Sequence, residues 1–327
     1  MRRSSFFMIF MGACLLTACG KAPAQDLQIP MHPIKTEIAE QSDSLATKDT
    51  DLLVSESNTE AGGKNIQDTT SEVEEISFID PNGQELALRI LPPNGYERIP
   101  AEEGSFLQYC RAFPVKEDGS KVLLHDGSEK SNQDAHVAVL NLPIENADLQ
   151  QCADSIMRMY AEYFLETGQE DRIKFHFTNG FEAVYTKWRD GYRIKVEGNQ
   201  VSWVHSAEYD DSYETFVKYM RMVFSYAGTL SMDGEADPVS LNDITAGDVF
   251  LKGGSPGHVV MVVDVCENEQ GQKAFLLAQG YMPAQEFHVL KNPASDTDPW
   301  YYVDEVKYPF LTPEYAFDEG SLQRIHY

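Results

Sequence analysis

The chain has 327 residues, with 52 acidic against 26 basic side chains and a formal net charge of −26. That length suits one large domain or two small ones. A surface this acidic repels phosphate backbones and anionic lipid head groups, which excludes a nucleic-acid function and leaves the fold open.

The first nineteen residues, MRRSSFFMIFMGACLLTAC, join two arginines to a short apolar run. This is the pattern of an export signal, too short to span a bilayer. Leu16-Thr17-Ala18-Cys19 resembles the lipobox of bacterial lipoproteins. The resemblance implies that residues 1–19 are a signal whose Cys19 is lipidated and becomes the mature N-terminus. An ordinary secretory signal cleaved nearby is the alternative. Gly20 follows with no acidic cluster, which points to an outer-membrane anchor facing the periplasm. Residues 20–75 are polar, acidic and rich in Ser, Thr, Asp and Glu, the composition of a disordered tether. No internal repeat and no second apolar run of membrane-spanning length follows. The only membrane association expected is the N-terminal lipid.

A single α+β domain is expected over residues 76–327. LALRILPPNGYERI reads as a short strand ended by Pro92-Pro93-Asn94-Gly95. SFLQYCRAFPV reads as a short helix or extended piece, KVLLHDGSEK as a strand entering a turn, and Ala135 to Leu142 as a β-branched strand. A helix then starts at Asp148, with Gln151 in capping-box position. Leu149, Cys152, Ile156, Tyr160 and Tyr163 form its apolar stripe, and Gly168 marks its end. Two hairpins follow: IKFHFT and FEAVYTKW around Asn179-Gly180, then YRIKV and VSWV around Gly198-Asn199. Asp211 or Ser212 caps a second helix whose stripe is Phe216, Tyr219, Met220, Val223 and Phe224, with Gly228 at its end. GDVFL, HVVMVVDV and KAFLLAQ then read as three successive strands. The middle one is apolar on both faces and belongs at the centre of a sheet. The tail, with PWYYVDEV and YPFLTPEYAF, reads as an aromatic wrap over the core. Strands, helix, hairpins, helix and strands in that order make an α+β pattern with an antiparallel sheet.

Of five cysteines, Cys14 leaves with the signal and Cys19 is spent on lipid. Cys110, Cys152 and Cys266 remain, an odd number in a disulfide-permissive compartment. At least one is unpaired or pairs between molecules, and a Cys110–Cys266 bridge would leave Cys152 free. Cys152 falls in the first turn of its helix, where unpaired N–H groups favour a thiolate and one of them could serve an oxyanion. His258 opens a strand after a Pro-Gly turn, and Gln279 closes the next strand. The imidazole could act as base while the amide fixes its tautomer. Each residue also has a plainer reading: Cys152 as an inert core thiol, His258 as a turn residue, Gln279 as a structural amide. His125 and His136, with Asp126 or Asp134, lack zinc-ligand spacing, so no metal and no cofactor is expected. His176, His205 and His288 read as packing or surface residues. Trp188, Trp203, Trp300, Tyr301 and Tyr302 read as core and rim, or as the lining of a sugar or peptide groove.

Asp148 to Ile156, Gly247-Asp248-Val249-Phe250, Pro256-Gly257-His258 with the strand after it, and Ala278-Gln279-Gly280 resemble the CHAP amidase/peptidase domain and its NlpC-type relatives. The resemblance implies a papain-like fold, an antiparallel sheet packed against a Cys-bearing helix, with its core over about 135–290 and the two hairpins as an insertion. It implies Cys152 as nucleophile, His258 as base and Gln279 as orienting residue, with Gln150 and Gln151 near the oxyanion and Gly257 and Tyr281 lining the site. The implied activity is amide hydrolysis in a peptidoglycan peptide through an acyl-enzyme. The alternative is a non-catalytic lipoprotein of the same fold that binds cell-wall peptide, glycan or a partner protein. Gln279 departs from the family pattern, since it carries no charge to stabilise an imidazolium. From about Ile76 the chain also resembles an uncharacterised bacterial lipoprotein family of unknown function.

Overall fold

Local chemistry sets the elements one by one along residues 77–327, the part of the chain that the computed structural model describes. The signal with Cys19 and the tether expected over 20–75 lie outside the described residues. Leu86–Arg89 forms one helical turn, α1. This corrects the expected strand: Leu, Ala and Arg are good helix formers, and Leu86 and Arg89, three apart, both face inward. Tyr96–Arg98 is β1. Phe106–Ala112 is α2, with Ser105 Oγ accepting from the Gln108 N–H. The expected strand in KVLLHDGSEK reduces to isolated pairings, Leu123 with Glu129 and Leu124 with Gln285. His136–Val139 is β2.

Cys152–Glu166 is α3. Its N-cap is Gln151, three residues later than expected. The Asp154 carboxylate accepts from the Gln151 backbone N–H at 3.0 Å, and the pair makes a reciprocal capping box. Asp148 instead accepts from Gln151 Nε2 at 3.0 Å and from the Ala284 N–H at 2.7 Å. Residues 153–164 are buried without a break, so α3 is a central helix, not one with a single covered stripe. Its end is where glycine was expected to stop it, with Gly168 at φ +69°.

Lys174–His176 (β3) pairs with Glu182–Val184 (β4) around Gly180. The chain then coils into α4, Tyr185–Arg189, so Thr186-Lys187-Trp188 do not continue the strand as expected. Tyr192–Glu197 (β5) and Gln200–His205 (β6) make the second hairpin. Tyr213–Tyr226 is α5, and Ser212 Oγ accepts from the Thr215 N–H. Thr229–Asp233 is α6 and Ala236–Pro238 is β7. The remaining strands are β8 (Asp248–Lys252), β9 (His258–Asn268), β10 (Lys273–Gln279), β11 (His288–Leu290), β12 (Tyr301–Tyr302), β13 (Phe310–Leu311), β14 (Ala316–Phe317) and β15 (Leu322–Ile325).

The main sheet has nine strands, in the order β2-β11-β10-β9-β8-β15-β7, with β1 also on β9 and β12 also on β10. Every pairing in it is antiparallel. Because side chains alternate along β9, its two faces feed two cores. Val259, Met261 and Val263 join Ile156, Tyr160 and Phe164 of α3. Val260, Val262 and Val265 join Phe250, Phe275, Phe310 and Phe317. The tail therefore covers the second face, and β9 is central and buried on both sides. A bulge opposite Leu276 and Leu277 lies beside Asp264, which is fully buried between Arg98 (2.6 Å) and Arg111 (2.7 Å). Cys110 and Cys266 are buried and not bridged to each other, so the bridge considered between them does not form. The result is a mixed α+β arrangement, a large antiparallel sheet with few helices. No helix among the described residues is long and apolar enough to cross a membrane.

Candidate functional site

The two strand ends meet because β9 and β10 are antiparallel neighbours. His258 is the first residue of β9 and Gln279 the last of β10, so both stand at one end of the sheet. His258 Nε2 lies 2.8 Å from Gln279 Oε1. Both side chains are buried, His258 3% exposed and Gln279 0%. Burial is the main cause that pulls the His258 imidazole down to about 4. The Gln279 hydrogen bond opposes it, and Lys130 adds to it.

The helix start carrying Cys152 is brought to the same end by backbone close approach. A Cβ on Gly280 would lie 2.4 Å from Ser155 Oγ and 3.0 Å from the Gln151 carbonyl oxygen. Only glycine lets the end of β10 sit this tightly on the first turn of α3. At the other flank a Cβ on Gly247, at φ +94°, would meet the Tyr160 hydroxyl at 2.3 Å. Tyr160 donates to the Gly247 carbonyl at 3.2 Å. Asp248 caps the Thr245 N–H (2.9 Å) and receives Arg324 through both oxygens, at 2.7 and 2.9 Å. Gly247 thus docks the strand on α3, and Asp248 ties it to β15.

Cys152 is half-buried. Two tyrosines stand against His258. The Tyr281 ring stands edge-on to the imidazole at 4.7 Å, and the Tyr315 ring is 4.9 Å from it. The phenol of Tyr281 is pushed up by burial, then by the charges of Glu314 and Cys152. Tyr315 is pushed up chiefly by burial, and a Cys152 charge again adds to it.

Behind Gln279 lies a polar network that spacing in the sequence does not reveal. Gln279 Nε2 donates to Glu314 Oε2 at 2.7 Å. Lys130 Nζ binds the same oxygen at 2.5 Å, and Asn132 Nδ2 binds Oε1 at 3.1 Å. His288, expected to be packing or surface, is fully buried, with Nε2 3.4 Å from Gln279 Nε2. Its Nδ1 faces the Glu286 carbonyl at 2.8 Å. Burial, first of all, holds the His288 imidazole down at about 3. A carboxylate, Glu314, thus stands one residue behind Gln279, paired with Lys130. The only signal for it was the polar Glu314 inside an otherwise aromatic tail.

The two glutamines before Cys152 are committed elsewhere. Gln150 Nε2 donates to the Pro143 carbonyl at 3.0 Å, and Gln151 Nε2 is held by Asp148. An oxyanion donor at this helix start is thereby left to the backbone. Gly257 turns the chain into β9 against α6, where a Cβ would meet Thr229 Oγ1 at 2.4 Å. A surface cavity of about 430 Å³, lined by Leu241, Asn242, Gly271, Gln272, Lys273, Val303 and Asp304, sits at the opposite end of β10 and contains none of these residues. Among the described residues no three His, Cys, Asp or Glu side chains group as metal ligands.

No curated protein and no solved structure matches the chain. One family model does, over residues 86–324, which takes in α1 through β15 and every site residue above. The chain therefore belongs to the family described as Domain of unknown function (4846).

Proposed function

We propose that the domain is a papain-like cysteine amidohydrolase or peptidase of the cell envelope, with Cys152 as nucleophile, His258 as base and Gln279 as orienting residue. The observation that carries this reading is the 2.8 Å contact between His258 Nε2 and Gln279 Oε1, at the strand end where Gly280 abuts the turn that Cys152 opens. A neutral imidazole whose Nε2–H is engaged by an amide oxygen leaves Nδ1 as its basic nitrogen. Cys152 Sγ attacks the amide carbonyl as its proton passes to His258. First-turn backbone N–H groups of α3 stabilise the oxyanion. Collapse breaks the C–N bond, the imidazolium protonates the departing amine, and a thioester remains. Water, deprotonated by the same imidazole, then hydrolyses the thioester and restores the thiol.

The substrate class rests on the CHAP and NlpC-type likeness, which names peptidoglycan peptides. In this reading β3 to β6 are the insertion between the Cys-bearing helix and the strands. On the same reading the lipobox-like Leu16-Thr17-Ala18-Cys19 supports a lipid anchor at Cys19, and Gly20 without an acidic cluster supports the outer membrane facing the periplasm. Incorporation of labelled palmitate by the wild type and its loss in Cys19→Ser tests that anchor.

Incubating the purified protein with muropeptides and mapping the products by mass tests the activity. Cleavage by wild type and none by Cys152→Ala is the expected result; intact bonds with both, across a panel of peptides, overturn it. One observation favours a second reading. His258 is only 3% exposed, as suits a module that binds wall peptide, glycan or a partner protein without cutting it. In that case Cys152 alkylates no faster than an ordinary thiol across pH.

A further inference from the structure

The amide of Gln279 has its orientation dictated by what surrounds it. A carboxylate accepts hydrogen bonds, so the Gln279 atom 2.7 Å from Glu314 Oε2 is the NH2 nitrogen. Lys130 binds the same oxygen, which keeps Glu314 facing the amide. His288 supplies a second acceptor: its Nδ1–H is spent on the Glu286 carbonyl, so its Nε2 presents a lone pair to the amide nitrogen at 3.4 Å. With both N–H bonds directed to acceptors, the carbonyl oxygen of Gln279 points at His258 Nε2. An oxygen there demands a proton on His258 Nε2. Turning the amide over would set its N–H toward that nitrogen, moving the imidazole proton to Nδ1 and removing the base.

We propose that Glu314, held by Lys130, is a positioning residue that locks the amide of Gln279 and, through it, the Nε2–H tautomer of His258. Its consequence for catalysis rests on the nucleophile–base reading above, while the tautomer lock itself does not. Glu314 reaches the site from the turn between β13 and β14, so the aromatic tail contributes to the chemistry as well as to the core.

The test is nitrogen NMR of the full chain labelled at histidine. In wild type, His258 shows a protonated Nε2 and a bare Nδ1. A proton on Nδ1 overturns the proposal without any variant. Removing the pair as Lys130→Met with Glu314→Leu leaves no orphaned buried charge. In that protein the Nε2–H population should fall from nearly all to roughly half, as the amide loses its strongest directing acceptor. Glu314→Gln should keep the wild-type tautomer. Two donors, Lys130 and Gln279, face the Oε2 position, so the new amide oxygen settles there. A folded double variant that keeps the wild-type tautomer overturns the proposal, whatever its activity. Loss of muropeptide cleavage with the tautomer lock intact would count against the enzyme reading alone.

Discussion

Gly280→Ala perturbs the joint between β10 and α3 by a single methyl group. The backbone at Gly280 is outside the left-handed region, so alanine meets no conformational strain and the cost is steric. The new carbon would stand 2.4 Å from Ser155 Oγ and 3.0 Å from both Ser155 Cβ and the Gln151 carbonyl oxygen. Ordinary carbon contacts begin near ~3.5 Å, so the hydroxyl must yield about 1 Å and the helix backbone about half that. Ser155 is fully buried, so the hydroxyl has little room to turn away. Overpacking of this kind costs about 2 kcal/mol, a shift of roughly 4–8 °C in Tm for a domain of this size. Ser155→Ala in the same background removes the closest clash and should recover part of the loss, which a double-mutant cycle by urea melts will measure. Because the displaced turn is the one Cys152 opens, the iodoacetamide rate of Cys152 should change as well. Gly280→Ala melting with wild type, with unaltered thiol kinetics, would refute the claim that this contact sets the site.

Two further predictions concern buried charge. Asp264→Asn removes the carboxylate shared by Arg98 and Arg111 and leaves two part-buried guanidinium groups short of a counter-charge. A loss of about 3–5 kcal/mol is expected, read as a lower urea midpoint with unchanged slope. The second is an acid sensitivity centred on His258. Its imidazole is held down to about 4 in the folded protein, chiefly by burial, while an unfolded-state imidazole titrates near ~6.5. Between those values the unfolded chain binds a proton that the folded chain refuses, so stability falls as pH drops from 6.5 toward 4, by up to ~3 kcal/mol. Above about 6.5 this contribution is constant. His288 adds in the same direction. The stability difference between wild type and His258→Gln should therefore change across that window; a difference that is flat with pH contradicts the assignment.

What the residues revealed in advance followed how locally each feature is written. β9 was legible because an apolar run of strand length between turn signals states its own burial. Asn179-Gly180 and Gly198 marked their hairpins through left-handed turns, and Ser212 marked the start of α5. The start of α3 was displaced by three residues because the capping rule favours Asp148, whereas Gln151 takes the cap with Asp154 closing the box. The structure spends Asp148 on the distant Ala284 N–H instead. α1 and α4 were misread as strand because four or five residues fit either period. At the site, His258 and Gln279 could be paired because they end consecutive strands. Glu314 and Lys130 could not, since that ion pair joins positions 184 residues apart and no spacing rule links them. Gly280 looked like part of a motif, and the structure gives its physical reason, the approach of Ser155.

The position of β15 bears on how such a chain can be made. The last strand lies inside the sheet, between β8 and β7, both of which precede it by many residues. A ribosome delivers residues in order, so β8 keeps an open edge until residues 322–325 are made. The hairpin that carries Glu314 and Tyr315 to His258 arrives just before them. The sheet also closes over longer spans, β1 on β9 and β2 on β11, and loop-closure entropy makes such non-local pairings costly to form before the rest of the chain is in place. A chain stopped after Lys307 would lack β13, β14 and β15 and part of the cover over one face of the sheet. Such a chain holds Cys152 and His258 but not Glu314, which binds Gln279, nor Tyr315, which packs on His258.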